Sequence, residues 1–148
     1  MNTRAYLSQA KNIDNAIKNL LEYARQCRDD ATSITPKLSD MKVQSSHAQD
    51  KMATSVAKAL DYEKDAREKA EALLEIRHKI VYQIDGLRQK NIKHANDYYN
   101  ILMGYYVFDK NTSAIARDIH FEPRYVRILH NRALVAFENM YGEEYLKD

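Results

Sequence analysis

The sequence has little of what tight turns and strands require. Only three Gly and two Pro occur in 148 residues, and Trp is absent. A β-sandwich or β-barrel turns about every 8–12 residues and relies on Gly and Pro among its turn formers. Their scarcity excludes those folds and predicts an all-α protein.

Thiols and long apolar runs are also scarce. A single cysteine, Cys27, excludes an internal disulfide and a multi-thiolate zinc site within one chain. No apolar run approaches the roughly 18 residues that span a bilayer, and the N-terminal residues are too polar for a signal peptide. We therefore expect a soluble, intracellular protein that does not enter membranes.

The sequence is also short of features that enzymes use. The three Gly are isolated, so no phosphate-binding loop is formed. The five His are at least ten residues apart and lack the local pairing of common zinc motifs. We expect no enzyme activity, no cofactor and no metal.

Two long helices are predicted from apolar spacing. Over residues 3–28, steps of three and four trace one stripe: Tyr6, Ala10, Ile13, Ile17, Leu20, Ala24 and Cys27. At about 1.5 Å per residue this helix is roughly 39 Å long, and Cys27 is expected to be a packed thiol. Residues 29–49 lose the period and contain Pro36 and six Ser or Thr, which predicts a long loop.

The second helix is predicted from Ala48 into the low 90s. It carries about five heptads, with Glu63 and Arg77 as polar interruptions of the apolar seam. The shorter first helix, folded back as an antiparallel hairpin, covers only part of this seam. Either the C-terminal segment or a second copy of the chain would cover the remainder, and both alternatives stay open.

The C-terminal third contains two further patterns. Four tyrosines, Tyr98, Tyr99, Tyr105 and Tyr106, could stack on RNA bases, but their helical spacing favours a core role. After them, Asn111 is expected to cap a short helix, residues 120–122 to form a turn, and Pro123 to open a longer helix. This is the pattern of a helix-turn-helix module.

Charge is distributed unevenly, although the total of 23 basic and 21 acidic residues gives only +2. Residues 110–132 contain five basic and two acidic residues, a local charge of +3, whereas residues 137–148 contain four acids and one Lys. The near-neutral total therefore conceals a basic module followed by an acidic tail. We expect residues 1–93 to form a helical hairpin and residues 94–148 to form the DNA-binding module.

The segment TSAIARDIHFEPRYVRILHNRAL resembles region 4 of bacterial sigma factors, which reads the −35 promoter element. The stretch ATSITPKLSDMKVQSSHAQDKMATSVAKALDYE, together with LHNRAL, resembles the phage-associated sigma-70 region 4-like proteins of Gram-positive bacteria. These are related to late-gene regulators of the ArpU and RinA type. The resemblance covers nearly the whole chain and implies a helix-turn-helix transcription regulator in the cytoplasm of a bacterial host.

The resemblance also implies the DNA-contacting residues. The base and phosphate contacts of the sigma motif fall on Pro123, Arg124, Tyr125, Arg127 and Ile128. Arg127 keeps the basic residue of the motif, whereas Pro123, Tyr125 and Ile128 depart from it. In the first helix of the module, Thr112 and Ser113 are candidate phosphate contacts. Asn131 and Arg132 complete the outward face.

Two functions are therefore weighed. In the first, the protein binds promoter double-stranded DNA with its second helix-turn-helix helix in the major groove, and the hairpin forms a homodimer or contacts RNA polymerase. In the second, it is an interaction module that binds a host target such as RNA polymerase without specific DNA readout. The small total charge and the replaced recognition residues motivate this second alternative, while the first remains the main prediction.

Overall fold

The computed structural model describes the backbone of residues 1–40 and 46–147 and the side chains of residues 1–33 and 50–147. Every regular element in these ranges is helical, and no strand occurs among them, so the all-α prediction is confirmed. The five α-helices are α1 (Thr3–Asp40), α2 (Ser46–Gly86), α3 (Ala95–Leu102), α4 (Thr112–Ile119) and α5 (Pro123–Tyr141). None of the described helices is long and apolar enough to cross a membrane.

Helix α1 corrects the prediction of a loop over residues 29–49. The helix runs without interruption to Asp40 and includes Pro36, and α2 begins at Ser46. The remaining positions of the expected loop, residues 41–45, lie outside the described residues. Ala31 is buried one turn beyond Cys27, so the apolar stripe continues where the Ser- and Thr-rich composition suggested that it ended. Ser and Thr lower helix propensity only modestly, and the stretch from residue 29 to residue 40 contains no Gly, so its polar composition did not end the helix.

Helix α2 ends earlier than the heptad pattern suggests, at Gly86 rather than in the low 90s. A short 3-10 turn, Leu87–Gln89, follows it. Gly86 allows a close approach, since a Cβ atom there would overlap the hydroxyl of Tyr141 and force that side chain to shift. The end of α2 therefore lies directly against the end of α5.

The chain packs as two compact units. Unit 1 contains residues 1–14 and 75–148, and unit 2 contains residues 15–74. Both long helices contribute to both units. The expected boundary at residue 93 divides the chain by predicted function, whereas these two units are defined by packing. That boundary stays a prediction.

Unit 1 has a core of large apolar side chains. The fully buried members come from the five α-helices and from the 3-10 turn after α2, and they include Leu7, Ile80, Ile84, Leu87, Ile101, Leu102, Ile115, Val126, Leu129 and Phe137. Tyr98 and Tyr106 are buried, and Tyr99 and Tyr105 pack against the same core. The tyrosines of this region are therefore core residues, as their spacing favoured.

A π-helical turn, Met103–Val107, continues α3 and brings it close to α4. A Cβ atom at Gly104 would lie 2.7 Å from Cγ1 of Ile115. Only Gly permits this approach, because a real Cβ atom does not come that close to another carbon atom. The short helix α4 is thereby packed tightly onto the core.

The predicted acidic tail also packs within unit 1. The ring of Tyr145 is buried and stacks on Tyr6 with the ring centroids 4.2 Å apart. Glu144 accepts a hydrogen bond from Nε2 of Gln83 at 2.7 Å and pairs with Lys79 at 3.3 Å. At least part of the tail is therefore held in the fold rather than presented as a free acidic segment.

Unit 2 buries only small side chains among its described residues. These are Ala24, Cys27 and Ala31 of α1 and Ala66 and Ala70 of α2. The burial of Cys27 confirms the packed thiol. Glu63, one of the two seam charges, is contacted by Arg28 at 3.4 Å and by Arg67 at 3.2 Å.

Candidate nucleic-acid interface

Helix α4 begins and ends as the sequence predicted. The side chain of Asn111 accepts a hydrogen bond from the backbone N–H of Ala114 at 2.8 Å, which caps the helix. At its other end His120 adopts a left-handed conformation with φ of 60°. The N–H groups of His120 and Phe121 both donate to the carbonyl oxygen of Ala116, the second at 3.0 Å. These bonds end the helix and redirect the chain toward α5.

Helix α5 opens at Pro123, which occupies the first helical position as expected. Its inward face is the predicted one, with the buried side chains Val126, Leu129, Ala133, Leu134 and Phe137. Ile115 and Ala116 of α4 are buried in the same core. The packing therefore fixes which side of α5 faces outward.

The outward face of α5 carries three arginines, Arg124, Arg127 and Arg132, and all three are exposed. None of them forms an ion pair with any side chain that the structure describes. Unpaired guanidinium groups retain all five donors for an anionic ligand. This absence of internal partners makes the face suitable for phosphate or base-edge contacts.

Two apolar side chains share that face. Ile128 is 42% exposed and Val135 is 58% exposed. Tyr125, which the sequence predicts to contact DNA, is half-buried, because its ring packs edge-on against Phe121 at a centroid distance of 5.1 Å. Tyr125 therefore helps to pack the turn between α4 and α5, in addition to any contact that it makes with a ligand.

The two candidates at the start of α4 differ in their availability. The hydroxyl of Thr112 shares a 2.6 Å hydrogen bond with the hydroxyl of Tyr105. Ser113 is exposed, and its side chain forms no hydrogen bond with a described residue. Ser113 is thus the freer hydroxyl for a phosphate contact, whereas that of Thr112 already holds α4 to the preceding segment.

Not every basic residue of the module is free. Nζ of Lys110 lies 2.7 Å from a carboxylate oxygen of Asp118. The hydrogen bond from Lys110 lowers the pKa of the Asp118 carboxyl below its usual value, against the opposing effect of desolvation. The local charge of +3 counted from the sequence is therefore concentrated in the arginines.

Sequence reasoning missed one residue of this region, Arg4 of α1. Its Nη2 atom donates to the side-chain oxygen of Asn131 at 2.9 Å, so a residue 127 positions away joins the outward face of α5. In the sequence, Arg4 is simply one of the polar residues on the outer side of α1. No local signal could have placed it, because the contact depends on how α1 packs on α5.

His130, the residue before Asn131 on α5, is partly buried and lies near Arg4. Its Nε2 shares a 2.7 Å hydrogen bond with the hydroxyl of Tyr106, and its ring lies 4.3 Å from that of Tyr105. Burial, and secondarily the charge of Arg4, lower the pKa of His130 to about 4. The imidazole is therefore neutral near pH 7 and contributes packing rather than charge.

No group of three or more His, Cys, Asp or Glu side chains that could hold a metal ion occurs in the described parts of the chain. Comparison with family models, with curated proteins and with solved structures found no match to this chain. Any assignment of function therefore rests on the residues themselves.

Proposed function

We propose that the protein is a sequence-specific DNA-binding regulator of transcription, acting on late genes of a phage or prophage in the bacterial cytoplasm. In this proposal α4, the turn at residues 120–122 and α5 form a helix-turn-helix, and α5 enters the major groove of promoter DNA. The observation that carries the proposal is the outward face of α5, where Arg124, Arg127 and Arg132 have no described ion-pair partner.

The geometry of α5 suits this role. Arg124, Arg127 and Ile128 lie in its first two turns, which are the turns that reach base edges in helix-turn-helix proteins. An arginine can bond guanine through two parallel hydrogen bonds, and an exposed Ile128 can contact a thymine methyl group. Pro123 does not impair the helix, since the first helical position needs no backbone donor.

The test is selection of bound fragments from host and prophage DNA, followed by titration of the selected duplex. Arg124→Ala or Arg127→Ala should weaken binding by about 1–3 kcal/mol if the side chain reads a base. That is roughly a 5- to 150-fold loss. Arg25→Ala is the matched control, because Arg25 is an exposed α1 residue of unit 2, paired with Glu22 at 2.6 Å. Failure to select any sequence, or equal losses for all three variants, would contradict the proposal.

We further propose that α1 and α2 form an antiparallel hairpin that makes the protein a homodimer through unit 2. Contacts within each unit support the antiparallel direction. Tyr6 donates to Gln83 at 2.6 Å and Arg77 donates to Asp14 at 3.2 Å in unit 1, and Arg28 meets Glu63 in unit 2. In unit 1 the partner number on α2 falls as the number on α1 rises.

The support for a second copy comes from the side chains that unit 2 leaves exposed. Five large apolar residues are 38% to 55% exposed: Leu21, Tyr23, Leu60, Tyr62 and Leu74. Leu60 and Leu74 are two heptads apart and each directly follows a seam position, which widens the apolar face as in helices with more than one neighbour. Residues 15–74 contain ten basic and ten acidic residues, so their summed charge does not oppose self-association.

Sedimentation at a series of protein concentrations tests the homodimer. Leu60→Asp with Leu74→Asp should convert it to a monomer. Thr54→Asp with Ala72→Asp adds the same charge at exposed positions of α2 that do not directly follow a seam position, and should leave the dimer intact. A native protein that stays monomeric at high concentration would remove this part of the proposal.

A second candidate function is binding to a host protein such as RNA polymerase without specific DNA readout. The exposed Ile128 and Val135 favour it, because apolar side chains beside arginines are also typical of protein interfaces. Purification from host lysate after nuclease treatment distinguishes the two candidates. Retention of polymerase, with no DNA sequence selected, would support this alternative.

A further inference from the structure

The beginning of α1 is held against the second half of α5. The buried hydroxyl of Thr3 donates to a carboxylate oxygen of Glu138 at 3.1 Å and shares a 2.9 Å hydrogen bond with the hydroxyl of Tyr145. Thr3 is 6% exposed. These two bonds fix the backbone next to Arg4, so the position of Arg4 beside α5 is built into the fold.

Arg4 continues a line of arginines along α5. Arg124, Arg127 and Asn131 follow one another at helical steps of three and four, which is about 4.5 and 6 Å of rise along the exposed side. Asn131 has no charge, but its amide oxygen holds the Arg4 guanidinium at 2.9 Å. The third cation of the line is thus supplied by α1.

The guanidinium of Arg4 remains available to an anion. Its bond to Asn131 engages Nη2 of a group that has five N–H donors. Arg4 is exposed and forms no ion pair with a described carboxylate. The line ends at Glu138, whose carboxylate is bonded to Thr3.

We propose that Arg4 binds a phosphate of duplex DNA as part of the same surface as Arg124 and Arg127, with Asn131 positioning its guanidinium. This inference rests on the proposed function. It also gives Asn131, which the sequence placed on the DNA-contacting face, the role of holding Arg4. A side chain that contacts phosphate adds affinity for every sequence, whereas one that reads a base adds it for one sequence only.

A duplex of mixed sequence is therefore the right probe, since it reports backbone contacts alone. The dependence of binding on salt between roughly 50 and 200 mM counts those contacts, because each phosphate contact adds about 0.9 to the slope of log K against log salt. Arg4→Ala should lower that slope by about 0.9 and weaken binding about threefold to tenfold. Arg4→Lys, which keeps the charge, should retain most of the slope.

Lys11→Ala is the matched control on the same helix. It removes one positive charge, but the Lys11 amine is 2.7 Å from the carboxylate of Asp109. The Lys11→Ala variant should therefore have the same slope of log K against log salt as the native protein. Thermal unfolding followed by circular dichroism confirms that each variant is folded.

Asn131→Ala separates positioning from base reading. If Asn131 acts through Arg4, its loss weakens binding in the native background and has no further effect when Arg4 is already Ala. Additive losses on the selected promoter sequence would show that Asn131 contacts DNA independently of Arg4 and would overturn its positioning role.

The possible failures are distinguishable. If Arg4→Ala keeps the salt dependence of the native protein while Arg124→Ala and Arg127→Ala lower it, the proposed role of Arg4 is overturned. The proposed function would still stand. If the native protein does not bind duplex DNA at low salt, the inference and the proposed function fall together.

Discussion

Units 1 and 2 differ in the size of the side chains that they bury. Unit 1 completely buries many large side chains, including Phe137, Leu129 and Ile84. In unit 2, by contrast, Ala and Cys occupy the described buried positions, and large residues such as Leu74 and Tyr62 are exposed. Because the free energy gained on burial scales with apolar area, unit 1 has the stronger source of stability.

The two units also differ in net charge and in how many of their charged groups are paired. Unit 2 has ten basic and ten acidic residues, which leaves 13 basic and 11 acidic residues, a charge of +2, for unit 1. The ion pair between Arg28 and Glu63 lies within unit 2, whereas Arg124 and Arg127 of unit 1 have no such described partner. Stability and free positive charge are therefore concentrated in unit 1, whereas large apolar side chains are exposed in both units, for example Ile128 in unit 1 and Leu74 in unit 2.

The largest expected effect compares one substitution in the two units. Leu129→Ala should lower the free energy of unfolding by about 2–5 kcal/mol, because Leu129 is fully buried and its truncation leaves a cavity. Leu74→Ala should lower it by about 0.5 kcal/mol or less in dilute protein, because Leu74 is already 40% exposed. Urea unfolding measures both. Equal losses would break the comparison.

Protonation of His130 gives the next effect. Its pKa is about 4 in the fold and about 6.5 when unfolded. The unfolded chain therefore binds more protons between these values, so the contribution is complete above pH 6.5 and is lost as pH falls toward 4. We expect a loss of about 1–3 kcal/mol, the half-buried ring being partly screened by solvent.

Urea unfolding between pH 7 and 4 measures this loss. The exposed residue His120 provides the control through His120→Asn, which tolerates the left-handed conformation and should keep the pH dependence. His130→Gln, which retains a hydrogen-bonding group for Tyr106, should flatten the curve. An unchanged curve in His130→Gln would show that carboxylates alone cause the loss.

The smallest expected effect is the change in stability when Asn is replaced by Ala in each unit. It should be destabilising in unit 1 and stabilising in unit 2. Asn111→Ala removes the cap of α4, a helix of eight residues, and should cost about 1 kcal/mol. Asn19→Ala lies in the interior of the long helix α1 at an exposed position, where alanine favours the helix by up to about 0.7 kcal/mol. Thermal unfolding of the two variants compares them. Destabilisation by Asn19→Ala would contradict the expectation.

Local sequence rules predicted much of α4 and α5. The cap at Asn111, the first position of Pro123 and the buried face of α5 each depend on neighbours within a few residues, so spacing was enough. The same rules were wrong over residues 29–40. There, Ser, Thr and Pro36 suggested a loop, but α1 continues to Asp40 and Ala31 extends its buried stripe.

By itself, the sequence determined the helical class, the main apolar stripes and the outward position of Arg124 and Arg127, because these follow from the period of the helix. The tertiary structure decided which helices share a core and brought Arg4 to Asn131 and Thr3 to Glu138. It also buried Tyr145 against Tyr6 rather than leaving a free acidic tail. Such contacts join residues more than 120 positions apart, and only packing can select them.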